Sequence, residues 1–212
     1  MCLSMHTNVH FAVGILFASI AHRLFPLNIW FFLIIIISAA IADLDLIVSK
    51  IALNNDHRNF FTHSLYPALI LIIIGIPIGV IWNIHVVWIS GIGYSSHIFL
   101  DCIDWKTRLF FGKKQYGWAF LITEDEKNLG KTRKQLQIES KMDFTSFSVH
   151  RYFHSIGMLV LGITLAVLSF LLLFVFASEF WYVFFGYFIL LEIPLYQKKK
   201  MEEKYEQIED DD

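Results

Sequence analysis

Long runs of apolar residues, separated by short polar stretches, dominate the chain from about residue 10 to residue 195. Such runs lack the alternation of a half-buried strand and are typical of helices that cross a bilayer. The clearest run, residues 156–177, carries no charged side chain. At about 1.5 Å per residue, a helix of this length covers the roughly 30 Å of hydrocarbon. The pattern predicts an all-α, polytopic membrane protein with about six transmembrane helices, at residues 10–25, 29–53, 64–82, 84–105, 156–177 and 180–195.

Polar residues divide this pattern into four parts. Residues 1–105 hold four spans, residues 106–149 form a basic and aromatic loop, and residues 150–196 hold two spans as a helical hairpin. Residues 197–212, QKKKMEEKYEQIEDDD, form a charged tail with few apolar side chains. We therefore predict that the tail is disordered.

The composition indicates a membrane protein, and the positions of the charged residues indicate its orientation in the membrane. Hydrophobic residues make up 56% of the 212 residues, and the mean hydropathy is +0.56. If six spans alternate in direction, all 17 Lys and Arg residues except Arg23 fall on one side. The positive-inside rule makes that side cytoplasmic. We expect an integral inner- or plasma-membrane protein with both termini, the loop and the tail in the cytoplasm.

Ionisable residues interrupt the spans, mostly toward the predicted cytoplasmic side. They are His10 in the first span, Asp43 and Asp45 in the second, His57 and His63 before the third, and His97 and Asp101 in the fourth. Each such group costs about 2.5–3.5 kcal/mol on insertion scales and tends to face a partner or a wet cavity. A single one is more often a hydrogen bond between helices, but several at one depth predict a shared site. His22 and His85 fall at the opposite ends and are interpreted as interfacial.

The residue types in this group suggest a metal site. His97 and Asp101 are four residues apart, so on a helix they share one face and can bind one ion. Two carboxylates come from the segment ADLD, and two imidazoles and a guanidinium come from HRNFFTHS. Imidazole with carboxylate suits zinc, manganese or iron, and a set this rich can hold two metals. Arg58 is placed to bind an anionic group such as phosphate. The two cysteines, Cys2 and Cys102, lie far apart and support neither a disulfide framework nor a cysteine zinc site.

These motifs resemble the signature of the membrane-bound metal-dependent hydrolases, also described as LexA-binding inner-membrane hydrolases. The resemblance covers roughly residues 6–105. Its motifs are His10, Asp43-Leu44-Asp45, His57-Arg58, Thr62-His63-Ser64 and Ser96-His97 with Asp101. Ala42 stands where the family usually has proline, and Asn59 where it usually has glycine. Both are backbone positions, so the candidate ligands are unaffected.

That family is in turn similar, more remotely, to the zinc-dependent phospholipases C and related single-strand nucleases. These are helical enzymes in which His and Asp ligands hold up to three zinc ions. The resemblance implies that His97 and Asp101 are ligands, with Asp101 able to bridge two metals. The other ligands that it implies are His10, one or both of Asp43 and Asp45, and His57 or His63. A third metal in the relatives uses a later His and Glu, for which His150 and His154 are the nearby candidates.

We therefore expect a phosphoesterase-like hydrolase that uses a divalent metal, zinc first, on a lipid or small-molecule phosphoester. Asp43 or Asp45 would serve as a ligand or general base, with Arg58 as a phosphate-binding residue. Two alternatives belong to other classes. A metal-ion or proton transporter would need a polar pathway across the whole membrane, and a non-catalytic scaffold or regulator would need the charged tail rather than the metal cluster. No nucleic acid is expected as a partner.

Overall fold

The computed structural model describes residues 7–43, 60–107, 109–110 and 116–210. Nine α-helices occupy these residues: α1 Thr7–Leu24, α2 Ile29–Ala40, α3 Leu65–Trp82, α4 Val86–Asp104, α5 Glu124–Asn128, α6 Arg133–Glu139, α7 Phe144–His154, α8 Ile156–Phe176 and α9 Phe184–Asp210. Two 3-10 turns, Phe61–His63 and Ser178–Val183, precede α3 and α9. The prediction of an all-α membrane protein is confirmed.

Four helical stretches are long and apolar enough to cross a bilayer. They are α3, α4, α8 and the stretch Ser178–Lys204, which includes most of α9. The first two predicted spans are helical as well, but α1 does not reach this threshold and the second is described only as Ile29–Asp43. The outward side chains of α3 and α8 are apolar and exposed; Val80 and Val175, for example, are 79% and 69% exposed. Contact with lipid explains this exposure.

Polar side chains at the helix ends set where several helices begin. The Asn28 side chain accepts a hydrogen bond from the backbone N–H of Phe31 at the start of α2, and Ser64 caps α3. Asp143 and Ser155 cap α7 and α8 in the same way. Each side chain satisfies a backbone donor that has no partner within its own helix. Ser64, which follows the candidate ligand His63, therefore helps to start α3.

The first four helices form a bundle in which α4 contacts α1, α2 and α3. Helix α8 packs against α1, and α9 packs against α1 and α7. Because successive helices run in opposite directions, the start of α1, the end of α2, the start of α3 and the end of α4 lie at the same end of the bundle. This is the end that carries the candidate ligands.

Gly14 allows α1 and α2 to approach closely. A Cβ atom at this position would lie 2.7 Å from the carbonyl oxygen of Ile36 and 2.8 Å from its Cα. Both are backbone atoms of the facing helix, so they cannot move aside without shifting α2. The absence of a side chain at Gly14 therefore sets the distance between the two helices.

The region predicted as a loop, residues 106–149, is folded where the structure describes it. It contains α5, α6 and the start of α7. Six of its residues form a buried cluster with Trp105, Tyr152, Met158 and Met201; the six are Ala119, Leu121, Ile122, Leu136, Phe147 and Val149. Arg151 donates a hydrogen bond to Glu126 at 3.0 Å. Partial burial acts to raise the pKa of Glu126, but hydrogen bonds from Arg151 and Thr123 hold it below its ordinary value. Apolar side chains spaced along a polar sequence are sufficient to build this small core.

The charged tail also differs from its prediction as a disordered segment. Helix α9 continues without a break from the apolar region to Asp210. Lys198 and Glu202 pair at 2.8 Å, and Lys199 and Glu203 at 3.8 Å, each four residues apart. Met201 adds a buried apolar contact to the cluster around Trp105. Pairs at this spacing stabilise a helix, and packing by Met201 anchors it.

Candidate metal centre

Five candidate ligands meet at one end of the bundle and are buried there. They are His10 from α1, Asp43 from the helical turn after α2, His63 from the 3-10 turn before α3, and His97 and Asp101 from α4. The three histidines are fully buried, and the two carboxylates are at most 5% exposed. The predicted meeting of these five residues at one depth agrees with the structure.

Asp101 lies among all three histidines. Its Oδ2 atom is 3.1 Å from Nε2 of His63 and 3.8 Å from Nε2 of His97. Its Oδ1 atom is 3.7 Å from Nε2 of His10. Two ligands of one tetrahedral zinc, each about 2.0–2.1 Å from the ion, lie about 3.3 Å apart. The spacing around Asp101 is therefore close to that of a metal coordination shell.

The five residues form two overlapping groups of ligand atoms. His10, Asp43 and His97 make one group, and His63, His97 and Asp101 make the other, with the ligand atoms of each group within 4.8 Å of one another. In the first group, Nε2 of His97 is 3.6 Å from Oδ1 of Asp43, and the His10 and His97 rings stack at 3.8 Å. Since His97 belongs to both groups, the arrangement is compatible with one ion or with two neighbouring ions.

Hydrogen bonds from outside the cluster orient two of its members. Nδ1 of His97 lies 3.0 Å from the carbonyl oxygen of Ala39, to which only a protonated Nδ1 can donate. The lone pair of Nε2 then faces the cluster, as a metal ligand requires. The Thr7 hydroxyl donates to Oδ2 of Asp43 at 3.0 Å. This contact leaves Oδ1 of Asp43 directed at His97.

Gly93 allows the contact between His97 and Ala39. A Cβ atom on Gly93 would lie 2.7 Å from Oγ of Ser38 on the facing helix α2. One helical turn further along α4, His97 reaches the carbonyl oxygen of Ala39. The close approach of α2 and α4 therefore places His97 and Asp43 within reach of each other.

A hydrogen bond from α4 holds the turn that carries His63. The hydroxyl of Tyr94 donates to the carbonyl oxygen of Thr62, the residue before His63. Tyr94, His97 and Asp101 are spaced three and four residues apart, so they share one face of α4. One helix face thus supplies two ligands and positions a third.

Several buried polar atoms of the cluster have no hydrogen-bond partner among the described residues, which favours a bound cation. Neither ring nitrogen of His10 hydrogen-bonds to another described residue, and neither does Oδ1 of Asp43. Buried polar atoms without a partner are rare, because each costs about 1–3 kcal/mol. A divalent cation would satisfy these atoms and compensate the two buried carboxylates. The donor set, imidazole and carboxylate without thiolate, suits zinc, manganese or iron.

Other predicted site residues lie elsewhere or outside the described residues. Asp45, His57 and Arg58 belong to the stretch that the structure does not describe, so their roles stay predictions.

His150 and His154 lie on α7, with ring centroids 4.0 Å apart and Nδ1 of His154 2.8 Å from the carbonyl oxygen of His150. Partial burial, and then the neighbouring His154 and Arg151, lower the pKa of His150. Within the described part of the chain, neither histidine joins a group of three metal-type ligands. A third metal at this pair stays a prediction.

His22 and His85 have structural partners at the opposite end of the bundle. Nε2 of His22 pairs with Glu179 at 2.7 Å, and its Nδ1 accepts a hydrogen bond from the backbone of Leu27. His85 accepts a hydrogen bond from Trp88 and stacks on Phe25. Their interpretation as residues outside the site agrees with this geometry.

Sequence reasoning did not identify the residues that orient the ligands. Thr7, Tyr94 and the Ala39 carbonyl carry no motif of their own. Tyr94 could have been found from its spacing to His97, whereas the contacts of Thr7 and Ala39 depend on how α1, α2 and α4 are rotated against one another.

A comparison with family sequence patterns matches the part of the chain that contains the whole cluster. The family described as YdjM inner membrane protein matches residues 5–133, which include all five clustered ligands and helices α1 to α4. No curated protein and no solved structure matches the chain. The match supports the predicted inner-membrane location and covers more than half of the 212 residues. The chain belongs to the YdjM inner membrane protein family.

Proposed function

We propose that this protein is a membrane-embedded, metal-dependent hydrolase that cleaves a phosphoester in a lipid-like substrate at the cytoplasmic interface. The observation that carries the proposal is the pair of ligand groups that share His97, with Asp101 among three buried histidines. A hydrogen bond that only joins two helices needs one donor and one acceptor. Here five metal-type side chains converge, and some of their atoms have no hydrogen-bond partner among the described residues. Binding of a metal ion explains this arrangement better than hydrogen bonding between helices does.

The residues of the chain have distinct roles in this proposal. His10, Asp43, His63, His97 and Asp101 would hold the divalent metal, with Asp101 lying among the three histidines. When bound, a divalent ion such as zinc lowers the pKa of a water and polarises a phosphoryl oxygen. Asp43 is held by Thr7 through one oxygen, which leaves its other oxygen as a ligand or proton acceptor. Asp45 is the alternative for that role.

A small cavity beside His10 supports access for a water-sized group. Its volume is about 10 Å³, close to what one water molecule needs, and it lies between α1, α4, α7 and α8. His10 and Tyr152 provide its polar side chains, and Leu100, Met158 and Leu161 make most of the remainder apolar. Mostly apolar side chains therefore surround a water-sized space next to one of the candidate ligands.

The packing of the bundle favours a hydrolase over a transporter. Between the ligand cluster and the end with His22 and His85, the described core contains Ile15, Phe32 and Ile36, all fully buried. In this part of the chain, apolar side chains therefore fill the space that a transport pathway would need. A non-catalytic scaffold would not require the buried ligands at all.

Topology fusions test the proposed orientation. Reporters fused at residue 130 and after residue 200 are expected to report the cytoplasm, because six alternating spans would place every Lys and Arg residue except Arg23 on that side. Reporters near Arg23 or Asn83 are expected to report the opposite side. An external residue 130 would place the metal cluster away from the cytoplasm and contradict this part of the proposal.

Activity measurements on the purified protein test the proposed chemistry. The protein is stripped with a chelator and reloaded with Zn²⁺ or Mn²⁺, and hydrolysis of bis(4-nitrophenyl) phosphate and of phospholipid in mixed micelles is followed. We expect activity to return with metal.

A substitution at Arg58 tests its proposed role in phosphate binding. Arg58→Lys keeps the positive charge but loses the planar guanidinium that matches phosphate. Metal content should therefore stay the same, while turnover falls by about tenfold or more. Unchanged turnover would show that Arg58 does not bind the substrate and contributes only to the orientation of the protein in the membrane.

A further inference from the structure

His10 is a candidate ligand whose second ring nitrogen has no partner among the described residues. Its Nε2 atom lies 3.7 Å from Oδ1 of Asp101, so this edge of the ring faces the cluster. Its Nδ1 atom makes no hydrogen bond to another described residue, although His10 is fully buried. By contrast, Nδ1 of His97 lies 3.0 Å from the carbonyl oxygen of Ala39. A histidine that binds a metal through one nitrogen almost always donates a hydrogen bond from the other.

The cavity beside His10 is where such a hydrogen bond can be made. His97 covers one face of the His10 ring, with ring centroids 3.8 Å apart, and Asp101 lies near the Nε2 edge. The ring also borders the cavity of about 10 Å³ between α1, α4, α7 and α8. Among the described residues that line this cavity, the other polar side chain is Tyr152, which is 6% exposed. A space of this size holds one water molecule where polar groups can bind it.

The hydroxyl of Tyr152 lies at the edge of this cavity. A Cβ atom at Gly162 of α8 would be 3.0 Å from the hydroxyl oxygen and 3.4 Å from Cγ2 of Val9, and both Gly162 and Val9 line the cavity. Burial raises the pKa of Tyr152 to about 12, so the phenol keeps its proton. A phenol oxygen can accept a hydrogen bond from a water while its own O–H is donated elsewhere.

We propose that Tyr152 is a positioning residue of the metal centre: a water in this cavity accepts a hydrogen bond from Nδ1 of His10 and donates one to the Tyr152 hydroxyl. The bridge keeps His10 in the tautomer whose Nε2 lone pair faces the ion, as the Ala39 carbonyl does for His97. This inference rests on the metal binding of the proposed function and not on hydrolysis. Tyr152 lies on α7, beyond the matched residues 5–133, so a helix outside the family match contributes to the site.

The zinc affinity of the purified full-length protein tests this role. Competition with a chromophoric chelator gives the dissociation constant of Zn²⁺ for the parent protein and for Tyr152→Phe, which removes only the hydroxyl. We expect the variant to bind zinc about tenfold more weakly, because it loses an outer partner of a ligating histidine.

The matched control is Tyr187→Phe, which removes the same group from another buried tyrosine. The Tyr187 hydroxyl accepts a hydrogen bond from Asn8 of α1 at 3.5 Å, but Tyr187 does not line the cavity. Its replacement should leave the zinc affinity unchanged. A general loosening of α1 would instead weaken zinc binding in both variants.

The tautomer of His10 gives a second readout, which a purely structural role of Tyr152 would not change. Proton–nitrogen NMR spectra of the zinc-loaded protein with isotope-labelled histidine distinguish a protonated Nδ1 from a metal-bound Nε2, and His10→Gln identifies the His10 signals. We expect a protonated Nδ1 in the parent protein. Its nitrogen chemical shift should change in Tyr152→Phe and stay the same in Tyr187→Phe.

Gly162→Ala is a second variant, in which Tyr152 is kept. Its methyl group would crowd the Tyr152 hydroxyl and narrow the cavity, so zinc binding should weaken here too. Unchanged zinc affinity in Tyr152→Phe and Gly162→Ala would overturn the proposal, and so would equal losses in Tyr152→Phe and Tyr187→Phe. A protein that shows the expected zinc affinities but hydrolyses no phosphoester would contradict the proposed hydrolase and support the role of Tyr152.

Discussion

Replacing His97 by alanine is expected to remove most of the bound metal while the protein still inserts into the membrane. His97 belongs to both ligand groups, and its Nδ1 is held by the carbonyl oxygen of Ala39. Loss of residues that merely orient ligands commonly costs 10–100-fold in metal affinity, so loss of a shared ligand should cost at least about 100-fold. Asp101→Ala should have a similar effect. Metal content per protein, measured by mass spectrometry after detergent purification, checks both variants.

The control for this experiment is His85→Ala, which removes a histidine next to the other end of the same helix. His85 stacks on Phe25 and accepts a hydrogen bond from Trp88, and it lies far from the cluster. Its replacement should leave metal content unchanged. If His97→Ala keeps its full metal content, or His85→Ala loses as much, the ligand assignment fails, and the clustered residues are then better explained as hydrogen bonds between helices.

Replacing Gly14 by valine is expected to destabilise the bundle and to lower its metal content. The new Cβ would meet the backbone of Ile36 at 2.7–2.8 Å, so α1 and α2 must separate. Overpacking of this kind costs about 1–3 kcal/mol, which corresponds to a fall of about 2–12 °C in the thermal midpoint of a chain of this size. Because α1 carries His10 and α2 leads to Asp43, the ligand cluster should loosen at the same time.

Gly157→Val, near the start of α8, is the matched control. A Cβ atom at Gly157 would have no neighbour within 4 Å. The same change of side chain should therefore leave both the thermal midpoint and the metal content near those of the parent protein. Equal midpoints for the two variants would show that the close approach at Gly14 does not limit stability.

The meeting of the ligands could be predicted from sequence because it depends on helix direction alone. Apolar segments of bilayer length must alternate in direction, so His10, Asp43, His63 and Asp101 come to one end however the helices are rotated. The spacing of His97 and Asp101 gives their shared face directly. Neither helix direction nor this spacing depends on how the side chains pack.

The contacts that orient the ligand side chains could not be predicted from the sequence, because they depend on how the helices are rotated and how far apart they lie. The bond from His97 to the Ala39 carbonyl needs the close approach at Gly93, and a glycine in an apolar run does not reveal which helix will face it. The small core around Trp105 was missed for a different reason. Its apolar residues, such as Leu121 and Leu136, are spread thinly through a polar sequence and meet only after folding.

The packing of α1 has a consequence for the order in which the protein is assembled during synthesis. Ala12 of α1 is buried against Ala166 of α8 and Tyr187 of α9, and Gly186 leaves room for the ring of Phe11. Helix α1 is thus covered by two helices that follow it much later in the chain. Over its 18 described residues, helix α1 also stays below the mean hydropathy of the helices that are apolar enough to cross a bilayer. Its final position, and with it that of His10, therefore depends on helices that are made roughly 150 residues later.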